Sequence, residues 1–127
     1  MPIISIRAAA NTAANNVLSR VRKAHKAGKP IPCLPRAELA CAIASAWPAN
    51  GCCANPRCGR ELDAGRGVAE AHSPSVHKVI PARGYVAGNI RVICNACNTR
   101  IAEAGTIEAT EAAIAALQWQ LSLLRGE

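Results

Sequence analysis

Phenylalanine is absent from this 127-residue chain, and aromatic residues of every kind make up only 2% of it. Val, Ile and Leu together number 26, one fewer than the 27 alanines. Large aliphatic side chains thus form only about a fifth of the sequence, near the level at which disorder is suspected. A thick aromatic core is excluded, and something besides hydrophobic burial should hold the fold. No apolar run approaches the ~18 residues of a membrane span. The opening Met1-Pro2-Ile3-Ile4-Ser5-Ile6-Arg7 is too short for the apolar region of a signal peptide, so a cytoplasmic protein with no membrane partner is expected. Acid is missing from the first 37 residues, which hold Arg7, Arg20, Arg22, Lys23, Lys26, Lys29 and Arg36. An acid-free start superficially resembles a transit peptide, but Pro30, Pro32 and Pro35 fit a folded boundary better.

What is present is positive charge and cysteine. The net charge is +7, with the cationic excess at the front and four acids against one base in residues 101–127. That asymmetry suits a polyanionic partner such as nucleic acid, although a solvated helix face gives the same pattern. The length suits one domain. Within it we distinguish a basic helical region (1–49), a cysteine-rich middle (50–105) and a terminal helix (106–127). A helix is predicted over residues 12–27, capped by Asn11 or Thr12 and stopped at Gly28, with Val17, Leu18 and Val21 as its apolar stripe. So narrow a stripe predicts loose attachment. A second helix over 35–47 aligns Leu39, Ile43 and Trp47. Beta-branched runs at 76–80 and 90–93, separated by Arg83-Gly84 and Gly88-Asn89, read as a hairpin with a long loop. A short helix should start near Asn95 and end by Gly105. Thr106 should cap a last helix whose stripe is Ile107, Ile114, Leu117, Leu121 and Leu124, with Trp119 and Leu123 off it. The heptad-like spacing 107, 114, 121 and 110, 117, 124 leaves room for a homodimer through this helix.

Seven cysteines, an odd number, without a secretory signal argue for metal in place of disulfides. Cys94-Asn95-Ala96-Cys97 is a C-x2-C knuckle, and Cys53 with Cys58 makes a C-x4-C knuckle. Each tight turn offers two sulfurs, and four thiolates make a closed, structural, tetrahedral zinc site. Buried free thiols are the alternative. Cys52, at C-x5-C from Cys58, could replace Cys53. Cys33 and Cys41 are then spare and should be small buried hydrophobes. Zinc binding would supply folding free energy that the core lacks.

The stretch Ser73-Pro74-Ser75-Val76-His77-Lys78-Val79-Ile80-Pro81, followed by Gly84-Tyr85-Val86-Ala87-Gly88-Asn89 and Cys94-Asn95-Ala96-Cys97-Asn98, resembles the HNH (ββα-metal) endonucleases. It is most similar to their phage-encoded, endonuclease VII-like, zinc-stapled members, and the resemblance covers roughly residues 50–105. It implies an α+β fold with a small zinc-bound ββα core, N-terminal helices and a C-terminal helix. The alanine-rich, phenylalanine-free composition suits a high-GC bacterial phage, and hence a host-cell cytoplasm. By the same resemblance His77 falls on a catalytic-metal position, Asn89 on the residue that pins the loop and orients the base, and Asn98 on the last ligand position. Lys78 falls where the family carries its general-base histidine, a departure, since lysine is protonated at neutral pH unless strongly buried. His72 is the nearby imidazole that could serve as base or third ligand, with a plain surface histidine as the alternative. Glu70 is a more remote ligand candidate, and Asp63 belongs to the turn after the first knuckle.

The implied activity is divalent-metal-dependent hydrolysis of DNA, by nicking or cutting, with Mg²⁺ or a similar ion between His77 and Asn98. A charged Lys78 would instead clamp phosphate. Arg83, Arg91 and Arg100 are candidate backbone contacts, read through phosphate and shape. Arg20, Arg22, Lys23 and Lys26 would add salt-sensitive affinity. Two alternatives stand beside the nuclease: a degenerate HNH-like module that binds DNA without cleaving it, and a zinc-stapled protein-interaction module.

Overall fold

A computed structural model describes residues 5–63, 71–101 and 106–126. The elements run α1 (Ile6–Lys26), α2 (Arg36–Ala46), β1 (Pro74–Lys78), a single 3-10 turn (Pro81–Arg83), β2 (Ile90–Cys94), α3 (Asn95–Ile101) and α4 (Ile107–Leu124). The architecture is α+β: four helices and one two-stranded antiparallel sheet. None of the described helices is long and apolar enough to cross a membrane.

The first helix begins six residues earlier than its apolar stripe suggests. Ser5 is the cap, its Oγ accepting from the Ala8 amide at 3.1 Å. The alanines that follow are strong helix formers, and they extend the helix through Thr12, whose hydroxyl donates to the Ala8 carbonyl at 3.2 Å. These alanines also overturn the expectation of loose attachment. Ala9, Ala10, Ala14 and Val17 are buried, and the small side chains let α1 lie close against α2 and β1. The hydrophobic stripe looked narrow because alanine was not counted in it.

Val17 of α1, Leu39 and Ile43 of α2, and Val76, Ile90 and Val92 of the sheet share one buried cluster with Tyr85, the only tyrosine. The basic N-terminal region and the strand hairpin therefore share a core. A second, smaller cluster joins Cys53, Ile93, Cys94 and Cys97, and Leu62 packs against both. Strand pairing sets Val76 opposite Val92, His77 opposite Arg91 and Lys78 opposite Ile90. The first strand begins and ends two residues before the predicted 76–80 run. Val79 and Ile80 are exposed, and their amides are taken by the Asn89 backbone and side-chain oxygens, at 2.9 Å each.

The loop between the strands is clasped by the segment after α1. The Tyr85 amide donates to the Pro32 carbonyl at 2.8 Å, and the Leu34 amide to the Tyr85 carbonyl at 3.0 Å. Gly84 permits this: it sits at φ +72°, and a Cβ there would collide with the Pro32 carbonyl. The last helix is as expected in extent and cap, with Thr106 Oγ1 accepting from the Ala109 amide at 3.1 Å. Its apolar stripe is not buried: no residue of α4 is, and Leu117, Trp119 and Leu124 are among the most exposed large side chains.

Candidate metal centre and adjoining cavities

Cys53 and Cys58 lie on the loop after α2, Cys94 ends β2, and Cys97 sits in the first turn of α3. Their sulfurs all lie within 4.8 Å of one another, so the four could hold a metal ion. The Cys58–Cys94 sulfur separation is 3.7 Å. Tetrahedral thiolates bonded at ~2.3 Å have edges of about 3.8 Å, so this pair stands at the spacing a tetrahedral ion requires. Cys52 is not in the cluster. Its sulfur donates to the Asn50 carbonyl at 3.6 Å and its amide to Asn50 Oδ1 at 3.0 Å, which decides the C-x4-C pairing over C-x5-C. Of the spare cysteines, Cys33 is half-buried and burial pushes its thiol pKa up, whereas Cys41 is exposed, contrary to expectation. Cys41 stands on the outer side of α2, away from the buried Leu39 and Ile43.

Donors surround the sulfurs. The Cys94 amide reaches Cys53 Sγ at 3.2 Å and the Cys97 amide reaches Cys94 Sγ at 3.4 Å. Asn55 Nδ2 donates to Cys97 Sγ and Arg60 Nη1 to Cys94 Sγ, each at 3.6 Å. At Cys97 burial prevails over the Asn55 bond and pushes the pKa up to about 12. At Cys94 burial is outweighed by the Cys97 amide and Arg60, which hold the pKa down at about 6. These donors favour the thiolate that a metal takes, and Arg60 supplies positive charge beside a site that becomes strongly negative when all four ionise. Asn55 and Arg60 were not expected to take part. Their place inside and just after the first knuckle was the available signal.

The predicted catalytic residues are partly gathered. His77 and Asn98, from β1 and α3, line one cavity of about 440 Å³ together with Lys78, Tyr85, Arg20 and Thr110. His77 is half-buried, and burial, then the charges of Lys78 and Arg91, holds its pKa below the ordinary 6.5. It is therefore a neutral imidazole at pH 7 with a lone pair available. Lys78 Nζ stands 5.1 Å over the Tyr85 ring centroid, within cation–π range. Asn89 is buried and fully engaged. Its Oδ1 accepts from the Ile80 amide at 2.9 Å, and its Nδ2 donates to the carbonyls of Ile80 at 3.0 Å and Gly84 at 2.7 Å. It pins the loop, but these bonds go to backbone and none of them reaches Lys78.

His72 does not join His77. It is exposed, lines neither of the two cavities described here, and sits with Nδ1 3.0 Å from the Glu61 carbonyl oxygen. Asp63 follows the first knuckle as expected, its amide donating to the His72 carbonyl at 2.9 Å. Glu70 lies outside the described residues. A second cavity, of about 410 Å³, takes Arg91 and Arg100 on the other side of His77. Arg22, Lys23 and Lys26 are exposed on α1, and Arg83 is exposed on the 3-10 turn, none of them in either cavity. No protein-family profile, curated protein or solved structure matches this chain.

Proposed function

We propose that the protein is a zinc-stapled DNA endonuclease of HNH type, with Cys53, Cys58, Cys94 and Cys97 holding the structural zinc. The observation that carries this reading is the convergence of His77 and Asn98 on one cavity whose charged lining residues are cations. An amide oxygen suits Mg²⁺ or Mn²⁺ and an imidazole nitrogen suits a transition metal such as Ni²⁺, so the pair would hold a divalent ion. Such an ion, when bound, supplies Lewis-acid stabilisation of charge on the scissile phosphate. The rest falls to the chain's own side chains. Asn89 fixes the loop that follows β1 and so the position of that strand's end. Arg20 approaches the cavity from α1 and draws the phosphodiester backbone in. Lys78, its Nζ over the Tyr85 ring, is suited to stabilise negative charge, and lysine is a poor replacement for the general base that the family carries at this position.

That last point favours a second reading, a module of the same ancestry that grips DNA without cutting it. Supercoiled-plasmid nicking by zinc-loaded protein with Mg²⁺, Mn²⁺ or Ni²⁺ separates the two. Nicking that needs the added ion and is lost in His77→Ala and Asn98→Ala supports the nuclease. Plasmid retention without nicking in all three ions supports the binding module.

A second copy of the chain is the proposed partner of α4. The helix carries Glu108 and Glu111 near its start and Arg125 at its end, so an antiparallel pair brings opposite charges together at both ends. Ile107, Ile114, Leu117, Leu121 and Leu124, all exposed in one chain, would then cover one another.

A further inference from the structure

The helical period of α3 divides its polar side chains between two sides. Asn98 and Arg100, two residues apart, project roughly 200° from each other, while Ile101 lies between them. Accordingly Asn98 enters one cavity, Arg100 the other, and Ile101 lines both. On the sheet His77 also lines both. His77 and Ile101 are thus the wall between two pockets, with Arg20 and Lys78 on one side and Arg91 and Arg100 on the other. Among the described residues, no carboxylate lines either one. Each volume is in the lower part of the range that takes a small organic group. A single anion would need only one such pocket. Two cationic pockets flanking one imidazole fit a repeating polyanion, whose successive phosphates enter both while the linkage between them passes the wall.

We propose that the Arg91–Arg100 cavity is a second phosphate subsite, and that one nucleic-acid strand crosses His77 from it into the Asn98 cavity. This rests on the nuclease reading and deepens it by giving the strand a path across the site, from Arg91 and Arg100 past His77 to Asn98. Among the described residues Arg91 makes one side-chain hydrogen bond, its Nη1 donating to the Ile90 carbonyl at 2.8 Å, which leaves its remaining donors for a ligand.

The test is fluorescence anisotropy with the zinc-loaded full chain, without added Mg²⁺, on labelled oligonucleotides from a dinucleotide to about twelve nucleotides. Arg91→Gln and Arg100→Gln should each weaken binding of the longer oligonucleotides and lower the slope of log affinity against log salt by about 0.7 to 0.9. Arg100→Lys should restore the slope. Melting curves identical to wild type verify that the variants fold. An unchanged slope in both glutamine variants overturns the subsite. The plasmid assay keeps the two ideas apart: reduced slopes without nicking retain the strand path and discard the nuclease, whereas nicking with unchanged slopes does the reverse.

Discussion

At the scale of single residues, charge and burial around His77 make a measurable statement. An imidazole whose folded pKa lies below its unfolded one binds fewer protons in the native state across that interval. Stability therefore rises with pH from the depressed value up to about 6.5 and is flat above it. NMR titration of the His77 ring should give a midpoint below 6.5, and Lys78→Gln should move it upward by removing one of the two adjacent positive charges. A midpoint unmoved in that variant would mean that Lys78 takes no part and that burial and Arg91 set it. At the cluster, Arg60→Gln should weaken zinc binding about tenfold in a chelator competition, since a donor to a metal-bound sulfur is lost while all four ligands stay. The clustering of Cys53, Cys58, Cys94 and Cys97 was legible in the sequence because they sit in two short knuckles of fixed spacing, and so was the place of His77 on a strand, Asn89 in the loop and Asn98 on the following helix. Arg60, Asn55 and Tyr85 were not, because their partners lie far along the chain: Arg60 meets Cys94, Asn55 meets Cys97, and Tyr85 meets Pro32.

Elements were read well where local rules decide and less well where packing does. The fourth helix and its Thr106 cap follow from capping chemistry and periodicity. The start of α1 was missed because alanine, a strong helix former, carries no visible hydrophobic stripe. The strand boundary was misplaced because Val79 and Ile80 look like strand, while Asn89, ten and nine residues later, claims their amides for the loop. That loop supplies a sharp prediction at this scale. Gly84→Ala combines a left-handed backbone with a collision against the Pro32 carbonyl, so thermal or urea unfolding should show a loss of about 3 kcal/mol or more. Gly88→Ala shares the positive φ, at +81°, but meets nothing within 4 Å, and should cost only about 1 kcal/mol.

For the whole molecule, the thin core and the cysteine cluster are one subject. The larger buried cluster holds nine buried residues, with Tyr85 as its only aromatic member and no phenylalanine to draw on. Removing metal with a chelator should therefore collapse the cooperative thermal transition, and a Cys94→Ser variant should fail to recover it on zinc addition. A chain that melts at the same temperature with and without metal would show that the four thiols are merely packed. In the same preparation, sedimentation should show a dimer that Leu117→Glu converts to monomer without changing the zinc content, because the exposed face of α4 lies outside both buried clusters. That face was fully legible as an amphipathic pattern, whereas its exposure in a single chain was not, since periodicity says which side is apolar and nothing about what covers it.

The clasp between Pro32 and Tyr85 also sets a sequence of events in time. It joins segments more than fifty residues apart, and Tyr85 cannot complete the larger cluster until the stretch after α1 has arrived. Contacts this distant along the chain form slowly, so the hairpin loop is the place where refolding waits for the N-terminal helices. On the ribosome the order is set by synthesis: α1 and α2 can pack before Tyr85 is made, so the edge that receives it can already be in place.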